Sequence, residues 1–139
     1  MPKFGKKSRN ALKSCDNRLQ LILNEVIKEV DCSVLEGNRG QVEQDKAYKE
    51  GRSKVKYPHG RHNQLPSRAV DVVPYPIDWN DRERFTLFAG YVLGVADQLG
   101  IYIRWGGDWD KDWYVHDNMF DDFPHFELLD VPGNDKTQG

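Results

Sequence analysis

The residues of this sequence best suited to chemistry are four histidines, His59, His62, His116 and His125, and a few acids set beside apolar segments. A catalytic zinc site takes three protein ligands of histidine or carboxylate type and keeps a further position for water. The metal lowers that water's pKa toward about 7, which makes hydroxide available at neutral pH. In Arg68-Ala69-Val70-Asp71-Val72-Val73 an acid lies inside an apolar run. A carboxylate there is costly unless it is paired or bound to a metal; the plainer reading is an acid capping a strand end. In Phe123-Pro124-His125-Phe126-Glu127-Leu128 the alternation of a strand puts His125 and Glu127 on one face and Phe126 and Leu128 on the other. His62 lies in the loop before the Asp71 segment. Asp122 stands three residues before His125, where it can face a water as general base and then pass the proton to a leaving amine. In the plainer reading Asp122 is a surface acid beside Asp121.

The elements that must carry these groups are legible in outline. Apolar residues at helical spacing (Leu12, Leu19, Ile22, Leu23, Val26, Val30) predict an amphipathic helix from Ser8 to Val30, with Asp16 or Asn17 as an alternative cap for its main part. A short strand is expected over Ser33–Glu36 and a polar helix over Gln41–Glu50, stopped by Gly51. Residues 51–67 form a long loop rich in Gly, Pro and basic residues. Arg68–Val73 is expected as a strand ended by Pro74. Asn80 as N-cap and Glu83 at the capping-box position open a helix running to Leu99, with a buried stripe of Phe85, Phe88, Val92, Val95, Ala96 and Leu99. Strands are expected over Ile101–Trp105 and Phe123–Leu129, joined through a Gly106-Gly107 turn and an acidic, aromatic loop from Asp108 to Asp122. The whole is a single α+β domain over residues 1–139, with flexible ends at 1–7 and from Val131.

Bulk properties exclude several classes. The 139 residues fit one domain, with 38% hydrophobic and 30% charged residues. The net charge of -2 gives no overall pull toward nucleic acid or anionic membrane, although most of the Lys and Arg lie in the first 61 residues. A nucleic-acid binder is disfavoured because the basic stretches lack interleaved aromatics. No apolar run is long enough to span a bilayer, and the basic start is followed by no signal-peptide core. Synthesis in the cytosol is therefore the expectation, and any action outside it needs another route. Cys15 and Cys32 form no metal pattern and are expected as unpaired thiols. Asp108, Asp110 and Asp112 alternate as in calcium loops, but Trp113 stands where Gly is needed, so a solvated turn is preferred. Trp105, Trp109, Trp113 and Tyr114 either pack over a cleft and hold a peptide or form the lid of a small core.

Four segments together resemble a known family. They are His62 to Tyr75; Asp122 to Leu128; Gly37-Asn38-Arg39 followed by Gln44; and Ile103-Arg104-Trp105-Gly106-Gly107-Asp108-Trp109. They resemble the D-alanyl-D-alanine carboxypeptidase and L-alanyl-D-glutamate endopeptidase family, above all its small bacteriophage endolysins. The resemblance implies a hedgehog-like α+β fold with an antiparallel sheet, flanking helices and one zinc. It implies His62, Asp71 and His125 as zinc ligands, Asp122 as catalytic acid/base, and Arg39 as a group that binds the substrate carbonyl and stabilises the oxyanion. Arg39, Trp105 and Trp109 would contact the substrate. The implied activity is hydrolysis of peptidoglycan stem peptides by a monomer during host lysis, between L-Ala and D-Glu. A D-Ala-D-Ala carboxypeptidase and a non-catalytic zinc-containing wall-binding module are the alternatives. Gly60 replaces a family serine, and eight residues rather than six separate His62 from Asp71. His59 is thus a rival first ligand, but it needs a still longer loop, and His62 is preferred. His116 is expected to line the cleft or surface.

Overall fold

A computed structural model describes residues 2–114 and 122–131. Among them the chain forms α1 (Lys6–Lys13), α2 (Asn17–Val26), β1 (Cys32–Glu36), α3 (Gln41–Lys49), a 3₁₀ turn (Arg61–Asn63), β2 (Ala69–Pro74), α4 (Arg82–Gln98), β3 (Ile103–Gly106) and β4 (Asp122–Leu128). The strands make one antiparallel sheet in the order β1-β2-β4-β3. The α+β expectation holds at this level.

One face of the sheet carries the core. Val70, Val72, Phe126, Leu128 and Ile103 pack with Leu19, Ile22, Leu23 and Val26 of α2 and with Phe88, Ala89, Val92 and Ala96 of α4. Each of the larger side chains, the alanines aside, contributes about 1.5–3 kcal/mol when fully buried. The period-2 alternation then leaves Asp71, His125 and Glu127 on the opposite face, clear of both helices.

Several expectations need correction. The first helix is two helices. Asp16 N–H donates to the Ser67 carbonyl at 2.8 Å, and Ser67 N–H to the Ser14 carbonyl at 2.8 Å, which breaks the helix at 14–16. Asp16 then caps α2 by accepting from Arg18 N–H at 2.9 Å, and its carboxylate pairs with the buried Arg18 guanidinium at 2.8 Å. The cap of α4 is Asp81, one residue beyond Asn80; its side chain accepts from Arg84 N–H at 3.0 Å. Leu99 is 40% exposed because α4 ends before it, and Ala89 takes its place in the stripe. The lead at 1–7 is not loose throughout: Phe4 is buried in the core, and α1 begins at Lys6. Gly106 belongs to β3 rather than to a turn, and Asp122 already opens β4. Of the expected frayed tail only Val131 lies within the described residues, and His116 and Asp121 lie outside them. Cys15 and Cys32 are free and buried; burial pushes each thiol up to about 12.

Candidate metal centre

Asp71 of β2 and His125 of β4 are direct cross-strand partners. His62 meets them from the 3₁₀ turn. His62 Nε2 lies 3.1 Å from Asp71 Oδ1 and 3.2 Å from His125 Nδ1; the latter lies 3.3 Å from the same Asp71 oxygen. The distal ring nitrogens fix what these atoms are. His62 Nδ1 sits 2.7 Å from the Gly37 carbonyl and His125 Nε2 sits 2.8 Å from Glu127 Oε1. Both partners only accept, so both nitrogens must donate. In neutral imidazoles the inward nitrogens are then bare lone pairs. Two such lone pairs and a carboxylate oxygen converge with nothing between them to donate, an arrangement that repels itself unless a cation or an added proton sits within it.

The spacing fits a metal. Ligand atoms about 2.0 Å from a tetrahedral ion lie about 3.3 Å from one another, and the three edges here are 3.1, 3.2 and 3.3 Å. Without a cation, the anions around His125 favour a proton on its ring. Burial lowers the pKa of His125, but hydrogen bonds from its ring to Asp71 and Glu127 outweigh that and lift it to about 10. Burial raises Asp71, and the two histidines more than offset this, holding its carboxyl well below the usual carboxylate range. A metal would displace that proton.

Each ligand candidate is held from behind. Burial raises Glu127, but His125 and Arg104 outweigh it and bring it down to about 2. Glu127 Oε2 is gripped by Arg104 at 2.8 Å and Arg61 at 3.2 Å, so it stays anionic and keeps the His125 ring turned. Asp71 Oδ2 faces Arg39 at 3.6 Å. Arg39 is itself buried; it pairs with Glu36 and donates to Gln44 Oε1 at 3.0 Å. The Gly37 carbonyl reaches His62 because Gly37 runs against Ala11, Ser14 and Cys15, where a Cβ would collide.

Asp122 joins His62, His125 and Arg39 in lining a cleft of about 250 Å³. Residues three apart on a regular strand point to opposite faces. Here the pairing slips: Trp105 pairs with Phe126 but Gly106 pairs with Asp122, so residues 123–125 bulge from β3 and re-aim Asp122 into the cleft. Gly106 permits the approach, since a Cβ there would strike the Asp122 carbonyl. Burial pushes the Asp122 carboxyl up and Asp71 adds to this, giving about 6, in the range a general base near neutrality needs.

The remaining candidates divide. His59 lines the cleft but is not in the three-residue group. Trp109 also lines it, its ring 5.4 Å from that of His125 and 5.2 Å from the Arg104 guanidinium carbon. Trp105 does not. It is 3% exposed, stacks on Phe123 and donates from Nε1 to the Phe123 carbonyl at 2.7 Å, so it is a core residue that braces the bulge. In the Asp108-Asp110-Asp112 group Asp108 is buried and the other two are exposed. Asp108 accepts from the backbone N–H groups of Asp112 and Trp113, as an acid closing its own turn does. Sequence reasoning missed the supporting roles of Glu36, Gly37, Arg61 and Asn63, although Gly37 and Asn63 stand in the segments that carry the resemblance. Asn63, whose amide donates to the Arg39 carbonyl at 2.9 Å, follows a ligand candidate directly, but no local pattern shows what any of the four holds.

A family model described as phage L-alanyl-D-glutamate peptidase matches residues 1–129. The chain belongs to that family. A curated relative, the L-alanyl-D-glutamate peptidase of Escherichia phage T5, is 29% identical over 122 residues, covering 84% of this chain and 88% of its own length. The crystal structure of the Serratia marcescens L-Ala D-Glu endopeptidase ChiX superposes with a TM-score of 0.71 at 27% identity, over 91% of this chain and 90% of ChiX. Among the described residues no helix is long and apolar enough to cross a membrane.

Proposed function

We propose that the chain is a zinc-dependent endopeptidase that hydrolyses the L-alanyl–D-glutamyl bond of peptidoglycan stem peptides, and that it serves as a phage endolysin. The bond is the one named for the family and for both relatives. The observation that carries the metal is the convergence of three lone-pair donors at tetrahedral spacing. His62 through Nε2, Asp71 through Oδ1 and His125 through Nδ1 would hold the ion.

A zinc ion bound there would supply a Lewis acid for the scissile carbonyl and an acidified water. Asp122, unpaired with any cation at hydrogen-bond range among the contacts described, would take the attacking water's proton and return it to the departing amine. Arg39 would place fixed positive charge beside the carbonyl oxygen as it becomes negative, while holding Asp71 in orientation. Trp109 would cover His125 and offer its ring to the peptide. The protein would act as a monomer, made in the host cytoplasm and reaching the wall after release.

Metal analysis combined with digestion of purified muropeptides tests this reading. A single bound zinc is expected, with products bearing a new amino-terminal D-Glu, activity lost on chelation and restored by zinc. Release of free D-Ala would instead favour a carboxypeptidase. Wall lysis that survives removal of the metal would overturn the zinc reading, and a zinc-loaded protein that cuts no muropeptide would favour a binding module.

A further inference from the structure

The first fifteen residues carry Lys3, Lys6, Lys7, Arg9 and Lys13 and no acid, in a chain whose net charge is -2. All five residues are exposed. Among the described residues none of the five forms an ion pair, although Arg9 donates to the Phe4 carbonyl at 2.8 Å. The nearby acids do not neutralise them. Asp16 pairs with Arg18, and Glu25 pairs with Lys28. Asp31 shares a hollow with Lys3, Lys6 and Lys7 without an ion pair to any of them.

Helix physics disfavours this placement. Lys6 and Lys7 open α1, where the positive end of the helix repels cations, and its first turn holds no acid. Lys6 and Arg9 stand three apart and Arg9 and Lys13 four apart, so like charges meet on one face. The helix is nevertheless fixed in place. Phe4 and Leu12 are buried in the core, and Ser8 Oγ accepts from Val34 N–H of β1 at 3.0 Å. A rigid element that breaks a local rule, with no compensation inside the chain, points to a partner outside it.

Beside these cations runs a groove of about 420 Å³. Its buried lining includes the apolar Phe4, Leu12 and Ile27, and Lys3, Arg9 and Lys13 are among its exposed members. It shares no lining residue with the cleft of His62, Asp122 and His125.

We propose that this face docks the protein on an acidic phospholipid surface, the cations meeting headgroup phosphates and the groove taking the first part of an acyl chain. A hydrophilic phosphate polymer would satisfy the cations but leave the apolar lining in water, so the groove decides for the lipid. The apolar side of α1 is committed to the core, so the contact is peripheral and mainly electrostatic. The proposal stands apart from the peptidase reading, because neither the cations nor the groove belong to the metal centre.

Vesicle sedimentation of the full chain tests it, with pure phosphatidylcholine compared against an equal mixture with phosphatidylglycerol. Wild type is expected to bind only the mixed vesicles and to leave them as salt is raised. Each Lys or Arg close to an acidic leaflet strengthens association about fivefold. Lys3→Gln/Lys6→Gln/Lys7→Gln/Lys13→Gln should therefore bind the mixed vesicles at least about a hundredfold more weakly. Its melting temperature should match or exceed that of wild type, since like charges are gone, which separates lost docking from lost folding. Equal binding to both vesicle types, or undiminished binding by the variant, would overturn the proposal. So would binding to soluble polyphosphate or duplex DNA as tight, per phosphate, as to the mixed vesicles.

Discussion

Asp71 and His125 face each other in a regular antiparallel ladder, whereas His62 reaches the same point from a three-residue turn held by side chains and loop backbone. The strand half is positioned by register, which the hydrophobic face of the sheet enforces at every second residue. The loop half hangs on non-local bonds: the His62 ring to the Gly37 carbonyl, Arg39 N–H to the His62 carbonyl at 2.6 Å, and the Asn63 amide to the Arg39 carbonyl. The strand half is therefore a product of folding itself. The loop half depends on a few contacts, each of which can be removed singly.

The largest effects should come from the ligand candidates. His125→Ala and His62→Ala are each expected to abolish metal binding and reduce muropeptide cleavage to background, measured by metal content and product release. The comparison breaks if His62→Ala keeps its zinc, because His59, three residues earlier on the same cleft wall, would then be taking its place. Next, Asp122→Asn should lower kcat by about 10²–10⁴-fold, the usual contribution of a general acid–base group, with zinc content unchanged; a variant that loses its zinc would make Asp122 a ligand rather than a base. Glu127→Gln removes the anion behind His125 and should weaken zinc affinity by about 10–100-fold, read by competition with a chromophoric chelator. Gln44→Ala tests the loop half alone. It leaves buried partners unsatisfied and should cost about 1–3 kcal/mol in denaturant unfolding, while zinc stoichiometry is kept.

The smallest effect concerns stability without metal. The folded pKa of Asp122 lies above its unfolded value, so the folded protein binds that proton more tightly, and stability falls as pH rises from 3.8 to about 6. Metal-free Asp122→Asn should consequently exceed metal-free wild type by on the order of 1 kcal/mol at neutral pH, with the gap closing in acid. Identical melting of the two at neutral pH would count against a strained Asp122.

The sheet-borne part of the centre was legible because it obeys a local rule. An acid within an apolar strand, and a His and a Glu two residues apart on another, are visible in the residues themselves, and the alternation of side chains says which face they share. The same held for α4 and for Asp16 as a cap, since both depend on neighbours within a turn or two. Reading 8–30 as one helix failed because its break is made with Ser67, some fifty residues away along the chain. That Trp105 is buried while Trp109 lines the cleft was not legible, because an aromatic run carries no mark of which rings turn inward.

By itself the sequence determined the kinds of chemistry on offer and the two strands that carry most of it. Only the tertiary structure decided that His62 rather than His59 closes the triad, that Asp122 turns toward His125 despite an odd spacing, and that Gln44 ties the basic loop to Arg39. The reason is physical. Periodicity is a property of neighbouring residues, whereas a bulge, a buried anchor and a meeting of lone pairs exist only once distant segments have packed together.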